Sequence, residues 1–192
     1  MDFKERIKAA LSARKRVTMA PGPVPSAVLI PVFLKDGEYH ILFTKRTENL
    51  NHHRGEISFP GGVRHAGDRD ALQTALRETW EEVGILPEAV EVLGCLDDFF
   101  SIHNYLITPF VGMIPGDYEY RINSGEIERI IEVPVSHLLQ PGVFRVEDWS
   151  WKGRTRPVYF YTYRGDEIWG VTGAILKQFL DLVFLREEVA RR

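Results

Sequence analysis

Apolar residues recur along this chain in two rhythms, one helical and one of strands. Phe3, Ile7, Ala10 and Leu11 fall at helical spacing and predict a short amphipathic helix that ends before a Pro21-Gly22-Pro23 linker. Residues 27–34 form a near-continuous apolar run, which reads as a central strand buried on both faces. A Lys35-Asp36-Gly37-Glu38 turn leads to residues 39–46 as the hairpin partner. Further strands are expected at residues 90–96, 105–114 and 129–133, with a short helix from Ser136. Residues 143–149 and 157–163 read as a final hairpin turning near Lys152-Gly153. Thr172 is placed to cap a C-terminal helix whose Ile175, Phe179, Leu182 and Val183 face inward. Leu176, Leu180, Phe184 and Leu185 widen that surface, which either the partner chain of a homodimer or a wide intrachain contact would bury.

The best-specified helix follows a glycine-rich loop. Asp68 or Asp70 caps its start, and Asp70 with Gln73 makes an acidic variant of a capping box. Leu72, Leu76, Thr79 and Val83 form the expected inward stripe, Gly84 suits the left-handed C-terminal position, and Pro87 prevents continuation. At about 100° per residue, Glu82 lies some 40° round this helix from Glu78, and Glu81 some 60° the other way. Three carboxylates therefore share one face, on a flank where Gly61 and Gly62 arrive, and Arg77 can pair with one of them and hold its rotamer. Glutamates on a helix are usually a solvated face, where like charges one turn apart cost a few tenths of a kcal/mol. At an effective dielectric of about 20 and a separation of about 6 Å, each pair repels by roughly 3 kcal/mol. A half-buried cluster then needs a cation, and hard divalent ions prefer such oxygen ligands. Glycines, arginine and acids together favour the cation over the plain surface helix.

Composition narrows the class. The 192 residues suit one domain, with residues 1–22 as helix and linker and 23–192 as the domain proper. Hydrophobic residues at 44% and charged residues at 27% are ordinary globular values. A net charge of −3 supplies no basic field, so no nucleic-acid partner is expected. The single cysteine, Cys95, sits in an apolar run and reads as a small core residue rather than a nucleophile. The charged N-terminus lacks the apolar centre of a signal peptide, and no apolar run reaches membrane-span length. A cytoplasmic location without a membrane partner is expected. The tryptophans read as core or hairpin packing, with Trp149 and Trp151 on one face.

Residues 59–85, FPGGVRHAGDRDALQTALRETWEEVGI, resemble the Nudix box of hydrolases that cleave nucleoside diphosphates linked to another group. Upstream, LFTKRTENLNHHRGEISFPGG is similar to a second signature, found in the coenzyme A pyrophosphatase branch; Thr44, Arg46, Leu50, His53, Gly55, Phe59, Pro60, Gly61 and Gly62 match it. Asn51 stands where that pattern usually has arginine. Tyr105, Thr108, Pro109, EVPVSHLL from Glu132 and IWGVTGAIL from Ile168 resemble the branch too. Asp68 precedes Arg77 by one residue more than the usual acid of the box, as in that branch, which sets Asp68 apart from the glutamates as a ligand.

The resemblance implies an α/β/α sandwich around a mixed sheet, and a small-molecule diphosphate as substrate. It also implies Mg²⁺ or Mn²⁺ held by Glu78, Glu81 and Glu82, with Arg77 and Glu81 serving catalysis. Glu126, in NSGEIE, is the candidate general base or additional ligand, with Glu128 as its alternative. Arg46, His53, Arg54, Gly61 and Gly62 are the candidate substrate contacts, and His52 is a substitute for the arginine missing at Asn51. Coenzyme A is the implied substrate. ADP-ribose or a dinucleotide is the alternative, and a non-catalytic nucleotide sensor is a third reading, against which the intact acidic cluster argues.

Overall fold

The computed structural model describes residues 2–20, 24–48, 55–151 and 153–185. At its centre is β1 (Val24–Lys35), joined to β2 (Glu38–Arg46) by a turn in which Asp36 and Gly37 both take positive φ, 51° and 80°. Those dihedrals match the twist of a two-residue hairpin, and the register Lys35↔Glu38 to Val32↔Ile41 follows. Short strands β3 (Ile57–Ser58) and β4 (Gly61–Val63) add to β2 and β1. After helix α2 (Ala71–Val83) come β5 (Glu91–Cys95), β6 (Phe99–Phe100), β7 (Tyr105–Met113) and β8 (Ile127–Pro134). All eight strands join one sheet, with the path β3-β2-β1-β7-β5 and β4, β6 and β8 attached to β1, β7 and β2. The β1–β7 pairing is parallel and the others are antiparallel, so the sheet is mixed.

The alternation of β1 builds a helical layer on each face. Ala27 and Leu29 pack with Ala75 of α2, and Phe33 packs with Val83 and Ile85 at its end. Ile30 and Val32, on the opposite face, join a larger cluster. That cluster takes Ile7 and Leu11 from α1 (Phe3–Ser12), and Ile175, Leu176 and Phe179 from α4 (Gly170–Leu180). The result is the expected α/β/α sandwich, with β1 buried on both faces.

Two expectations are corrected toward the C-terminus. After the short α3 (Val135–Leu138), β9 (Phe144–Trp151) and β10 (Arg154–Tyr163) do pair as a hairpin, but β11 (Asp166–Trp169) extends them into a three-stranded sheet. Trp169, not Thr172, is the N-cap of α4, and Thr172 is buried inside the helix. Trp149 packs against Trp169 and Phe160, with ring centroids 5.5 and 5.8 Å away. The wide apolar surface of α4 buries Ile175, Leu176, Phe179 and Leu180 against the chain itself. Among the described residues no helix is long and apolar enough to cross a membrane.

Candidate active site

Helix α2 starts where its chemistry requires. Asp70 is the N-cap, its carboxylate accepting from the Gln73 backbone N–H at 2.8 Å, while Gln73 Oε1 accepts from the Arg69 N–H at 2.8 Å. Gly84 closes the helix in the left-handed conformation, φ 76°. The buried face differs from the expected stripe. Thr74, Ala75, Thr79, Glu82 and Val83 are buried, whereas Leu72 and Leu76 are only half-buried and line an outer cleft with Trp80. Thr79 is tolerated inside because its hydroxyl donates to the Ala75 carbonyl at 2.6 Å. Glu82 is inside for another reason, which lies in the loop facing it.

That loop runs along the start of β1. The Leu29 N–H donates to the Pro60 carbonyl and the Arg64 N–H to the Pro25 carbonyl, both at 2.9 Å, with Ala27 opposite Gly62 and Val28 opposite Gly61. Gly61 has φ 155°, and a Cβ there would stand 2.3 Å from the Ala27 carbonyl oxygen. A Cβ on Gly62 would meet the Glu78 carboxylate at 2.5 to 2.7 Å. Both glycines therefore let the backbone reach the acids of α2. Gly61 completes the approach by donating its N–H to Glu82 Oε2 at 3.1 Å.

The carboxylates sit at graded depth. Side-chain exposure is 3% for Glu82, 14% for Glu78 and 42% for Glu81. Arg77 ties two of them together, its NH1 donating at 2.9 Å to Glu78 Oε1 and to Glu81 Oε2. Its Nε and NH2 grip Asp68 at 3.0 Å each, and NH2 also donates to the Val63 carbonyl at 3.1 Å. Asp68 in turn accepts from the His65 N–H and the Thr74 hydroxyl, both at 2.9 Å. The Arg77 guanidinium, with those two donors, holds the Asp68 carboxyl well below the usual carboxylate range. Asp68 is thus an anchor for Arg77, set apart from the glutamates.

Glu82 shows the opposite electrostatics. Burial pushes its carboxyl up to about 8, against the Gly61 N–H and the charge of Arg46, and nearby Glu78 and Glu126 raise it further. Burial raises Glu78 as well. Arg46 NH1 reaches only to 3.4 Å from Glu82 Oε1. Glu126 thus stands within electrostatic range of Glu82, while Glu128 is exposed and lies 3.8 Å from Lys45 Nζ. The segment carrying Glu126 is fastened on the C-terminal turn of α2, where the Arg121 and Asn123 N–H groups donate to the Val83 and Glu82 carbonyls at 2.9 Å.

A hard divalent cation fits this arrangement. The donors are carboxylate oxygens, and burial raises the carboxyls of Glu78 and Glu82 despite the arginines beside them. The Cβ-free space at Gly62 is filled by Glu78 itself. Among the described residues no three acidic, histidine or cysteine side chains already converge as a cage. Arg77 NH1 instead occupies one oxygen each of Glu78 and Glu81.

The sequence-derived candidates Arg46, Gly61, Gly62, Arg77, Glu78, Glu81, Glu82 and Glu126 thus cluster about one end of α2. His53 and Arg54, with Leu50, Asn51 and His52, lie outside the described residues. Asp68 as arginine anchor and Asn123 as a link between Glu82 and Glu126 were not anticipated, because neither role has a local spacing signal. Cys95 is far from an activated thiol, since burial pushes it up to about 11.

Known proteins resemble this chain in sequence and in fold. The NUDIX domain family matches residues 23–157. The chain is 39% identical over 158 residues, 82% of its length and 84% of the relative's, to an uncharacterized Nudix hydrolase, NudL, of Photorhabdus laumondii. Identity to NudL of Escherichia coli K12 is 37% over 153 residues, covering 80% of this chain and 79% of that one. A MutT/nudix family protein from Enterococcus faecalis is alike in structure, with a TM-score of 0.60 over 95% of this chain and 74% of that chain. At 12% identity that last likeness speaks for the fold alone.

Proposed function

The chain belongs to the Nudix hydrolase family, and on that premise we propose that it splits the diphosphate of coenzyme A or a derivative, with Mg²⁺ or Mn²⁺. The products are adenosine 3′,5′-bisphosphate and 4′-phosphopantetheine. Support for the hydrolytic centre comes from one observation above all: the glycine loop delivers the Gly61 N–H onto Glu82, beside Glu78 and within range of Glu126. Support for coenzyme A comes from the pattern of Thr44, Arg46, His53 and Gly55 upstream of Phe59-Pro60-Gly61-Gly62.

In this reading Glu78, Glu81 and Glu82 hold divalent ions, which when bound neutralise the phosphate oxygens and make water more acidic. The chain's own groups do the positioning. Asp68 clamps Arg77, Arg77 orients Glu78 and Glu81, and the Gly61 N–H orients Glu82. Glu126 takes the proton of the attacking water as its oxygen bonds to phosphorus. The bridging P–O bond breaks, and the departing phosphate leaves with its electron pair. Arg46, His53 and Arg54 contact the substrate's phosphates.

The test is turnover by the full chain against coenzyme A, acyl-coenzyme A, ADP-ribose and dinucleotides, with each metal and with product identification. The expected result is highest kcat/KM for a coenzyme A form, abolished by chelation and restored by Mg²⁺ or Mn²⁺. Faster cleavage of ADP-ribose would overturn the coenzyme A assignment, and no cleavage of any diphosphate would favour a sensor.

A further inference from the structure

Asn123 occupies a singular place between two acids of the site. Its backbone N–H donates to the Glu82 carbonyl at 2.9 Å, one of the helix-end carbonyls that α2 cannot satisfy internally. Its own carbonyl accepts from the Glu126 and Ile127 N–H groups at 3.0 and 2.9 Å. Its side-chain Nδ2 donates to Glu126 Oε1 at 3.4 Å, and its Oδ1 accepts from the Gly125 N–H at 3.2 Å. One residue therefore grips the main chain of Glu82 and both the main chain and the carboxylate of Glu126.

The surroundings make this grip stiff. Tyr118 Oη donates to the Gly84 carbonyl at 3.1 Å and accepts from the Leu86 N–H at 2.9 Å, fastening the incoming side of the loop to the end of α2. Gly84 has no Cβ, and one there would lie 2.8 Å from Arg121 Cβ. On the outgoing side the Thr47 N–H donates to the Glu126 carbonyl at 2.9 Å, tying the loop to the end of β2. With both flanks tied by backbone bonds, the side-chain contact to the Glu126 carboxylate among the described residues is the 3.4 Å bond from Asn123 Nδ2.

We propose that Asn123 is a positioning residue for hydrolysis, fixing the Glu126 carboxylate relative to Glu82. The proposal rests on Glu126 acting as general base. Asn123 touches neither substrate nor metal in this role and acts only through Glu126.

Asn123→Asp tests the contact by turning its donor into a repelling acceptor. It keeps size, the backbone bond to Glu82 and the acceptor for the Gly125 N–H, but replaces the amide donor by a second carboxylate facing Glu126. A positioned base contributes about a hundredfold or more to rate, so its misplacement should lower kcat by about tenfold or more. KM should stay within about twofold, and melting temperature and exchange of the backbone amide at position 123 should be unchanged. The deciding measurement is a double-mutant cycle with Glu126→Gln, in which Asn123→Asp should have no further effect. Equal losses of kcat in both backgrounds would overturn the proposal, as would a loss matched by a lowered melting temperature. A silent Glu126→Gln in an enzyme that cleaves diphosphates would also overturn it, while leaving the hydrolase reading intact.

Discussion

Gly61 and Glu82, 21 positions apart, meet through one hydrogen bond of 3.1 Å from the glycine N–H to the acid's Oε2. The acid that accepts it is only 3% exposed. A single amide and Arg46 at 3.4 Å are weak compensation for a buried charge, so the site is built with positive charge still owed to it. Glu82→Gln keeps size and the acceptor for Gly61. It should leave the protein folded and lower turnover by orders of magnitude. Near-native turnover of this variant would remove α2 as the metal-holding element.

The same imbalance fixes a pH dependence of the metal-free protein. Glu82 is raised from 4.5 to about 8 by burial, so the folded state binds the proton more tightly than the unfolded chain. Its contribution is full below pH 4.5 and is lost as pH rises toward 8. Asp68 has the opposite sign: Arg77 lowers its carboxyl, so its contribution is present above pH 3.8 and is lost on acidification. Stability should therefore peak in mild acid. With each kcal/mol worth roughly 2–4 °C at this size, melting temperature should fall by several degrees between pH 5 and 8. Mg²⁺ or Mn²⁺ should recover the loss at pH 8 and have little effect at pH 5. A flat profile from pH 5 to 8 without metal would contradict the burial of an uncompensated Glu82.

The two neighbouring glycines should fail in different ways when given a methyl group. At Gly61 the added Cβ meets the Ala27 carbonyl at 2.3 Å in a backbone conformation that side chains disfavour. Gly61→Ala should cost about 1–3 kcal/mol of stability. At Gly62 the obstacle is the flexible Glu78 carboxylate, which can swing away. Gly62→Ala should keep its melting temperature within a few degrees yet lose about tenfold or more in kcat, because Glu78 is displaced. Calorimetry and steady-state kinetics on both variants check the contrast, which fails if both lose stability alike.

Much of this was legible in the chain, for physical reasons that also mark the limits. The run at residues 27–34 showed β1 buried on both faces because a strand between two helical layers needs apolar residues on either side. The acids of α2 were legible because helical periodicity is regular. Leu72 and Leu76 are apolar yet only half-buried, so apolarity alone does not predict the inward face of α2, which carries Thr74, Thr79 and Glu82. Strands β3, β4 and β6 are two or three residues long and cannot display a period. Asp68 and Asn123 act through tertiary hydrogen bonds, which leave no pattern in one sequence.

Cys95 offers a test of direct against covalent hydrolysis. Its thiol is pushed up to about 11 by burial, and its Sγ lies 3.4 Å from the Leu96 carbonyl oxygen. A thiol so poorly ionised at neutral pH is a poor nucleophile. Cys95→Ser should retain most of the turnover and lose at most some stability. Abolished turnover in a folded Cys95→Ser protein would replace attack by water with a covalent route.

Coenzyme A differs from its dephospho form by one 3′-phosphate, and the upstream pattern has Asn51 where the branch usually has arginine. A charged hydrogen bond to that phosphate is worth about 1.5–3 kcal/mol, or roughly tenfold to hundredfold in kcat/KM. With one positive charge missing, the preference for coenzyme A over dephospho-coenzyme A should lie near the lower end, and His52, His53 and Arg54 are left to supply it. Arg54→Ala should narrow the preference while barely changing turnover of dephospho-coenzyme A, since only the 3′-phosphate loses a partner. If Arg54→Ala lowers kcat/KM equally for both substrates, Arg54 serves the shared diphosphate and not the 3′-phosphate.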